Sequence, residues 1–241
     1  MQLGHLGQTR SVHRRNYLLH TPDTFIRAPL PGMRGGTAVV HAGPACGAGF
    51  TAYTAELESD QRLYGSAFQR FCYVLSGTVA AEGGELKAGD YAYFPEGSSS
   101  EIVARLDTRL IVIEKIYRKQ GGTEPGSMFV GRVSERPLQA LFGDPDIQVQ
   151  ALMPDCAAHD FAVNVMTFQP GASLSMVELH VMEHGLLMLE GAGIYKLDDD
   201  WHAVTAGDFI WMGPYCPQWF AAIGKTPASY LIYKDWNRHP L

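Results

Sequence analysis

Glu178, His180 and His184, in the run Val177-Glu178-Leu179-His180-Val181-Met182-Glu183-His184, are the densest group of metal-capable side chains in this 241-residue chain. In an extended strand, side chains two residues apart face the same way, so Glu178 and His180 project together and His184 shares their parity. A carboxylate with two imidazoles is the donor set of an open octahedral site for Mn2+ or Fe2+, with positions left for water or substrate; zinc is a less natural occupant. Glu183 has the opposite parity and is expected to point away or to make a surface contact. A fourth donor has to come from a neighbouring strand. Gln218 follows the turn Gly213-Pro214-Tyr215-Cys216-Pro217, where a chain returning from Phe209 to Met212 would begin its partner, and its amide oxygen is a hard, neutral ligand.

The elements that must position these groups are short. Thr37 to His41, Phe71 to Leu75, Tyr91 to Phe94, Arg109 to Tyr117, Leu186 to Leu189, Phe209 to Met212 and Ser229 to Tyr233 are runs of β-branched and aromatic residues, too short for helices and separated by turn residues. The class is mainly β. Two blocks repeat: Phe71 to Gly77 precedes Gly89-Asp90 and Tyr91 to Phe94, as Gly185 to Gly191 precedes Gly207-Asp208 and Phe209 to Met212. The repeat predicts two tandem β-barrel domains. The first is expected over 1–118, including an N-terminal arm, and the second over 147–241. Between them, 119–146 carries Gly121-Gly122, Pro125-Gly126, Pro137 and Pro145 and reads as a connecting segment, with a helical turn expected around Pro137 to Phe142.

Composition narrows the function classes. With 46% hydrophobic and 18% charged residues the chain is neither disordered nor fibrous, and a formal charge of -6 with no basic run argues against nucleic acid. No apolar stretch approaches a membrane span, and residues 1–30 lack a basic head followed by an apolar block, so a cytoplasmic protein is expected. Cys46, Cys72, Cys156 and Cys216 form no C-x-x-C pair and suit reduced thiols. His5, His13, His20, His41, His159, His202 and His239 have no donor partner at useful spacing and are assigned no chemistry; the run Asp198 to Asp200 reads as a hairpin tip.

With those residues in place the chain resembles the cupin superfamily. Glu178 and His180 occupy the two His positions of its first motif, His184 the Glu position, and Gly191 the closing Gly; Gly207, Gly213, Tyr215 and Gln218 stand at the second motif. In the first half Gly89, Pro95 and Gly97 keep the scaffold, but the donor positions hold Tyr64, Ser66, Arg70 and Ser100, so one barrel is expected to keep a metal and the other to be structural. The resemblance implies a bicupin of two double-stranded β-helix (jelly-roll) barrels. The E-x-H-x3-H pattern, the distal Gln218, and the ending Ser229-Tyr230-Leu231-Ile232-Tyr233-Lys234-Asp235 with Asn237-Arg238 are similar to the (S)-ureidoglycine aminohydrolase family. Leu179 between the ligands and Trp219 after Gln218 depart from that family's pattern.

This second resemblance implies a Mn2+-dependent hydrolase, with Fe2+ or another divalent ion as the alternative, that replaces the α-amino group of (S)-2-ureidoglycine with hydroxyl and releases ammonia in purine catabolism. It implies metal ligation by Glu178, His180, His184 and Gln218, and substrate contact by Glu178, Gln218, Tyr230 and Lys234, with Tyr195 a further pocket candidate. Glu178 is expected to shuttle a proton between water and the leaving amine, and Lys234 to offer a cation to the substrate carboxylate or ureido oxygen. The expected partners are a small ureido substrate and other copies of the chain, in a homodimer or larger homo-oligomer. A non-haem metal oxygenase and a non-catalytic bicupin that binds or stores a ligand are the rival readings.

Overall fold

All seven runs read as strands are strands: Thr37–Ala42, Gln69–Ser76, Asp90–Phe94, Thr108–Lys115, His184–Glu190, Phe209–Met212 and Ala228–Lys234. Several are buried along both faces, which is why they read as continuous apolar runs rather than as alternations. The computed structural model describes residues 8–119 and 122–236; among them the only helical elements are three single 3-10 turns, and no helix is long and apolar enough to cross a membrane.

The chain divides into two units, and each is assembled from separated pieces. One comprises Ile26–Arg136 and Asp155–Asp160. Its larger sheet has the order Phe129–Arg132, Asp90–Phe94, Gln69–Ser76, Thr108–Lys115, Thr51–Leu57, Thr37–Ala42; its smaller sheet includes Gly84–Lys87, Thr78–Ala81 and Ile102–Ala104. The other comprises the chain up to Phe25, Pro137–Pro154 and the chain from Phe161 onward. Its larger sheet runs Val12–His13, Tyr17–His20, Phe209–Met212, His184–Glu190, Ala228–Lys234, Ala162–Phe168, Asp144–Ala151, Gln139–Leu141, and its smaller sheet Asp200–Thr205, Ala192–Leu197, Gln218–Ile223. The six strands of the first larger sheet correspond in order to Tyr17–His20 through Asp144–Ala151 of the second, and these pairings are antiparallel. Each unit thus folds two antiparallel sheets into a barrel, as the repeat predicts.

The repeat extends to irregularities. The pairing slips by one residue between Arg109 and Leu110 in the first unit and between Met188 and Glu190 in the second. Just beyond each slip stands a glycine at positive φ, Gly77 at 83° and Gly191 at 71°. A Cβ at either would fall 2.3 Å from the Asp107 carbonyl oxygen or 2.5 Å from that of Pro227, so each hairpin closes only around glycine.

Two boundary expectations are corrected. The N-terminal arm, expected with the first barrel, pairs Tyr17–His20 with Phe209–Met212 and so extends the second. The segment 119–146, expected to be connecting, contributes Phe129–Arg132 to the first sheet and Gln139–Leu141 to the second; its 3-10 turn is at Val133–Glu135, not around Pro137 to Phe142. The physical cause is common to both. The strand Asp90–Phe94 and its counterpart Phe209–Met212 would otherwise be sheet edges with unpaired amides, and each is covered by a strand from outside the repeat.

The core of the second unit centres on Phe168, Phe220, Tyr195 and Tyr230, with Phe168 and Phe220 edge to face at 4.9 Å. Each such ring contributes about 1.5–3 kcal/mol by burial. These rings fill the barrel's middle and leave one end for polar groups.

Candidate metal centre

The inward parity of each strand selects the polar residues at that end. His184 begins the strand whose next inward residues are Leu186 and Met188; Lys234 ends the strand that buries Tyr230 and Ile232; Gln218 begins the strand that buries Phe220 and Ala222. Register places His184 opposite Lys234 on one side and Met212 on the other. Gln218 forms a two-way backbone bridge with Glu178, at 2.7 and 2.9 Å. The structure therefore brings together the residues singled out from the sequence.

The expected route to that arrangement needs correction. Glu178, His180 and His184 do not share one strand. Glu178 touches the sheet only at its bridge to Gln218, the chain bends at Val181 and Met182, and His184 opens the next strand. The bend lets the two imidazoles approach from different elements, with ring centroids 4.9 Å apart. Among the described residues no three His, Cys, Asp or Glu side chains stand in metal-holding geometry; the Glu178 carboxylate lies against His180, Oε2 to Nε2 at 3.2 Å. Glu183 does face away, but into the interior: it is 6% exposed and accepts a 2.9 Å hydrogen bond from the Trp211 indole N–H. The expected surface contact is replaced by a buried one.

The donor chemistry suits a hard divalent ion. His184 is 2% exposed, and burial, with the Lys234 charge and His180 nearby, holds its pKa well below the ordinary histidine value, so its lone pair is free at neutral pH. Glu178 supplies negative charge and the Gln218 Oε1 a neutral oxygen. That oxygen accepts a 3.1 Å hydrogen bond from the Tyr195 hydroxyl. Tyr195 and Tyr230 are buried, and burial first and the Glu178 charge among the lesser causes raise both pKa values, so both hydroxyls keep their protons. Lys234 is partly buried; desolvation lowers its pKa while Glu178 pulls it back up. Tyr195, Tyr230 and Lys234 thus all lie within the electrostatic reach of Glu178. Asn237 and Arg238 of the family-like ending lie outside the described residues.

The two departures from the family pattern lie off the pocket. Leu179 is 60% exposed, and the Trp219 indole N–H donates to the Leu174 carbonyl at 2.6 Å while its ring meets Trp201. Of the remaining histidines, His41 is hydrogen-bonded to the Thr54 hydroxyl at 2.8 Å and His202 to the Tyr17 hydroxyl at 3.2 Å, while His13 is exposed.

In the first unit the same register sets Arg70 opposite Glu114 and Phe94, the positions that His184, Lys234 and Met212 hold in the second. Arg70 is 5% exposed, pairs with Glu114 at 2.7 Å and donates to the Tyr64 carbonyl at 2.7 Å. A guanidinium keeps its protons and offers no lone pair. Sequence reasoning found Arg70 but not Glu114, whose significance appears only when the strand register is known.

Comparison with known proteins agrees with this architecture. Residues 164–233 match the family profile described as Cupin domain, and residues 48–117 the one described as EutQ-like cupin domain. The chain is 37% identical over 242 residues to the (S)-ureidoglycine aminohydrolase of Arabidopsis thaliana, covering 98% of this chain and 80% of the relative. It is 33% identical to the (S)-ureidoglycine aminohydrolase of Escherichia coli, covering 97% and 93%. The crystal structure of the E. coli protein Ylba superposes with a TM-score of 0.85 at 29% identity over 97% of both chains. On fold, repeat and sequence together, the chain belongs to the (S)-ureidoglycine aminohydrolase family of the cupins.

Proposed function

We propose that this protein hydrolyses (S)-2-ureidoglycine to (S)-ureidoglycolate and ammonia, using a divalent metal, manganese by preference, held by Glu178, His180, His184 and Gln218. The observation that carries the reading is the meeting of these four groups with Tyr195, Tyr230 and Lys234 at one end of the second barrel, in a chain related over nearly its whole length to named aminohydrolases. Whole-length relation to aminohydrolases sets it ahead of the oxygenase and of the non-catalytic bicupin.

A bound divalent ion supplies Lewis acidity and lowers the pKa of a nearby water. The chain's own residues do the rest. The Glu178 carboxylate accepts a proton from the attacking water and returns it to the departing amine. Lys234 meets the substrate carboxylate or ureido oxygen as a cation, and burial among barrel strands restricts where that cation can stand. Tyr230, whose hydroxyl stays protonated, donates to the opposite polar end of the substrate. The apolar wall of Phe168, Phe220 and Met212 keeps bulk water from the back of the site. The same proposal takes the protein as cytoplasmic and as a homodimer or larger homo-oligomer.

The test is incubation of Mn2+-loaded protein with freshly generated ureidoglycine, following ammonia and product chirality. Ammonia above the uncatalysed rate with a single product enantiomer is expected. Ammonia at the background rate would overturn the proposal.

A further inference from the structure

The turn Gly213 to Pro217 delivers Gln218 and also grips the other side of the site, because the Tyr215 amide donates to the His180 carbonyl at 2.7 Å. Tyr215 sits at φ 60°, in the left-handed region that a residue with a side chain adopts only when its surroundings impose it. One residue about two hundred positions earlier in sequence holds one end of this turn through its backbone and, through its side chain, steadies the residue that holds the other end. The Asn16 carbonyl accepts from the Gly213 amide at 2.8 Å. The Asn16 side-chain amide donates to the Asp198 carboxylate at 2.9 Å, and the Asp198 amide in turn donates to the Pro217 carbonyl at 2.8 Å. Asp198 is itself at φ 55°, at the tip of the hairpin between Ala192–Leu197 and Asp200–Thr205.

We infer that Asn16 is a positioning residue for the catalytic site: by clamping Gly213 directly and Pro217 through Asp198, it fixes the turn that aims Gln218 and steadies His180. This rests on the function proposed above only for its catalytic consequence, since the clamp is a property of the metal-free chain. The arm has a second anchor against which Asn16 can be compared. Arg10 forms a bidentate ion pair with the buried Asp208 at 2.6 and 2.9 Å, with no contact to the turn 213–217.

The experiment compares Asn16→Ala, Asn16→Asp and Arg10→Ala in the full chain. The first readout needs no metal: hydrogen exchange of the Tyr215 and Gln218 amides in apo protein, which donate to His180 and Glu178. Asn16→Ala is expected to lower their protection about tenfold, and Asn16→Asp, which sets a carboxylate against Asp198, more than that; Arg10→Ala should leave them protected while lowering Tm. The second readout is Mn2+ affinity by titration, expected to weaken about tenfold in Asn16→Ala, within the range seen when outer partners of metal ligands are removed, and to hold in Arg10→Ala. Unchanged protection in Asn16→Ala, or equal losses in Asn16→Ala and Arg10→Ala tracking Tm, overturns the inference. Wild-type protein that binds no Mn2+ overturns the proposed metal centre instead, and the exchange result still decides the clamp.

Discussion

Removing one buried hydroxyl should separate ligand orientation from substrate contact. Tyr195 is 1% exposed and its hydroxyl donates to the Gln218 Oε1 at 3.1 Å, with its ring against Phe220 at 5.5 Å. Tyr195→Phe keeps the ring and its packing and deletes only the donor. A buried acceptor stripped of its partner costs about 1–3 kcal/mol. Because the amide of Gln218 can then turn over, that cost appears as a smaller share of molecules with the oxygen correctly aimed, a factor of about 5 to 150 at 1.36 kcal/mol per tenfold. The assay is paired: kcat/KM for ammonia release, and Mn2+ affinity by titration. Both should fall within that range, while Tm stays within a few degrees of wild type. If only KM rises and Mn2+ affinity is untouched, Tyr195 contacts substrate without orienting Gln218. A variant with wild-type values of both would refute the reasoning altogether.

Other outcomes follow from the same geometry. Lys234→Met should reduce kcat/KM by at least about tenfold, since a charged hydrogen bond contributes about 1.5–3 kcal/mol, and should leave Mn2+ affinity equal or higher because a cation facing His184 is gone; an unchanged kcat/KM would remove Lys234 from the substrate site. Asp160 in the first unit accepts from Lys115 at 2.6 Å, Gln69 at 2.5 Å and the Arg118 amide at 2.8 Å, so Asp160→Asn should cost about 3–5 kcal/mol in urea unfolding by removing the buried charge that these donors meet, and a loss below about 1 kcal/mol would contradict this. His159 is buried against Tyr93 and Phe129 with an unpartnered Nδ1, and burial lowers its pKa. Below pH about 6.5 the unfolded chain takes up a proton that the folded one resists, so stability falls as pH is lowered from there toward the folded pKa. His159→Phe should flatten that part of the acid limb in urea titrations at pH 7.5 and 5.5; identical slopes in the two proteins would exclude it.

Much of this was readable in the chain because the informative features are local. Short β-branched and aromatic runs, the Gly-Asp-aromatic repeat, and the grouping of Glu178, His180 and His184 each depend on neighbours in sequence. Where the reading failed, the deciding contacts are distant. Nothing near Tyr17 announces that its strand belongs beside Phe209–Met212, and nothing near Glu183 announces Trp211, because a carboxylate flanking a metal-capable histidine looks like surface until the indole is found. The parity argument grouped residues that do lie near one another, but for an incomplete reason. It assumed a continuous strand, whereas a bend at Val181 and Met182 makes the approach. Asn16 carries no motif at all, and its role exists only through register.

Because Tyr17–His20 lies against Phe209–Met212, that strand cannot find its place until a segment far along the chain has been made. On a ribosome adding about 5–20 residues per second, roughly 190 residues separate the two, a wait on the order of 10–40 s. During that interval the strand Asp90–Phe94 can already take its cover from Phe129–Arg132, so the first barrel can close before the strands of the second are complete. The second barrel is then completed by a segment made long before its partner strand, so a substitution that weakens Tyr17–His20 burdens the later-forming half of the molecule.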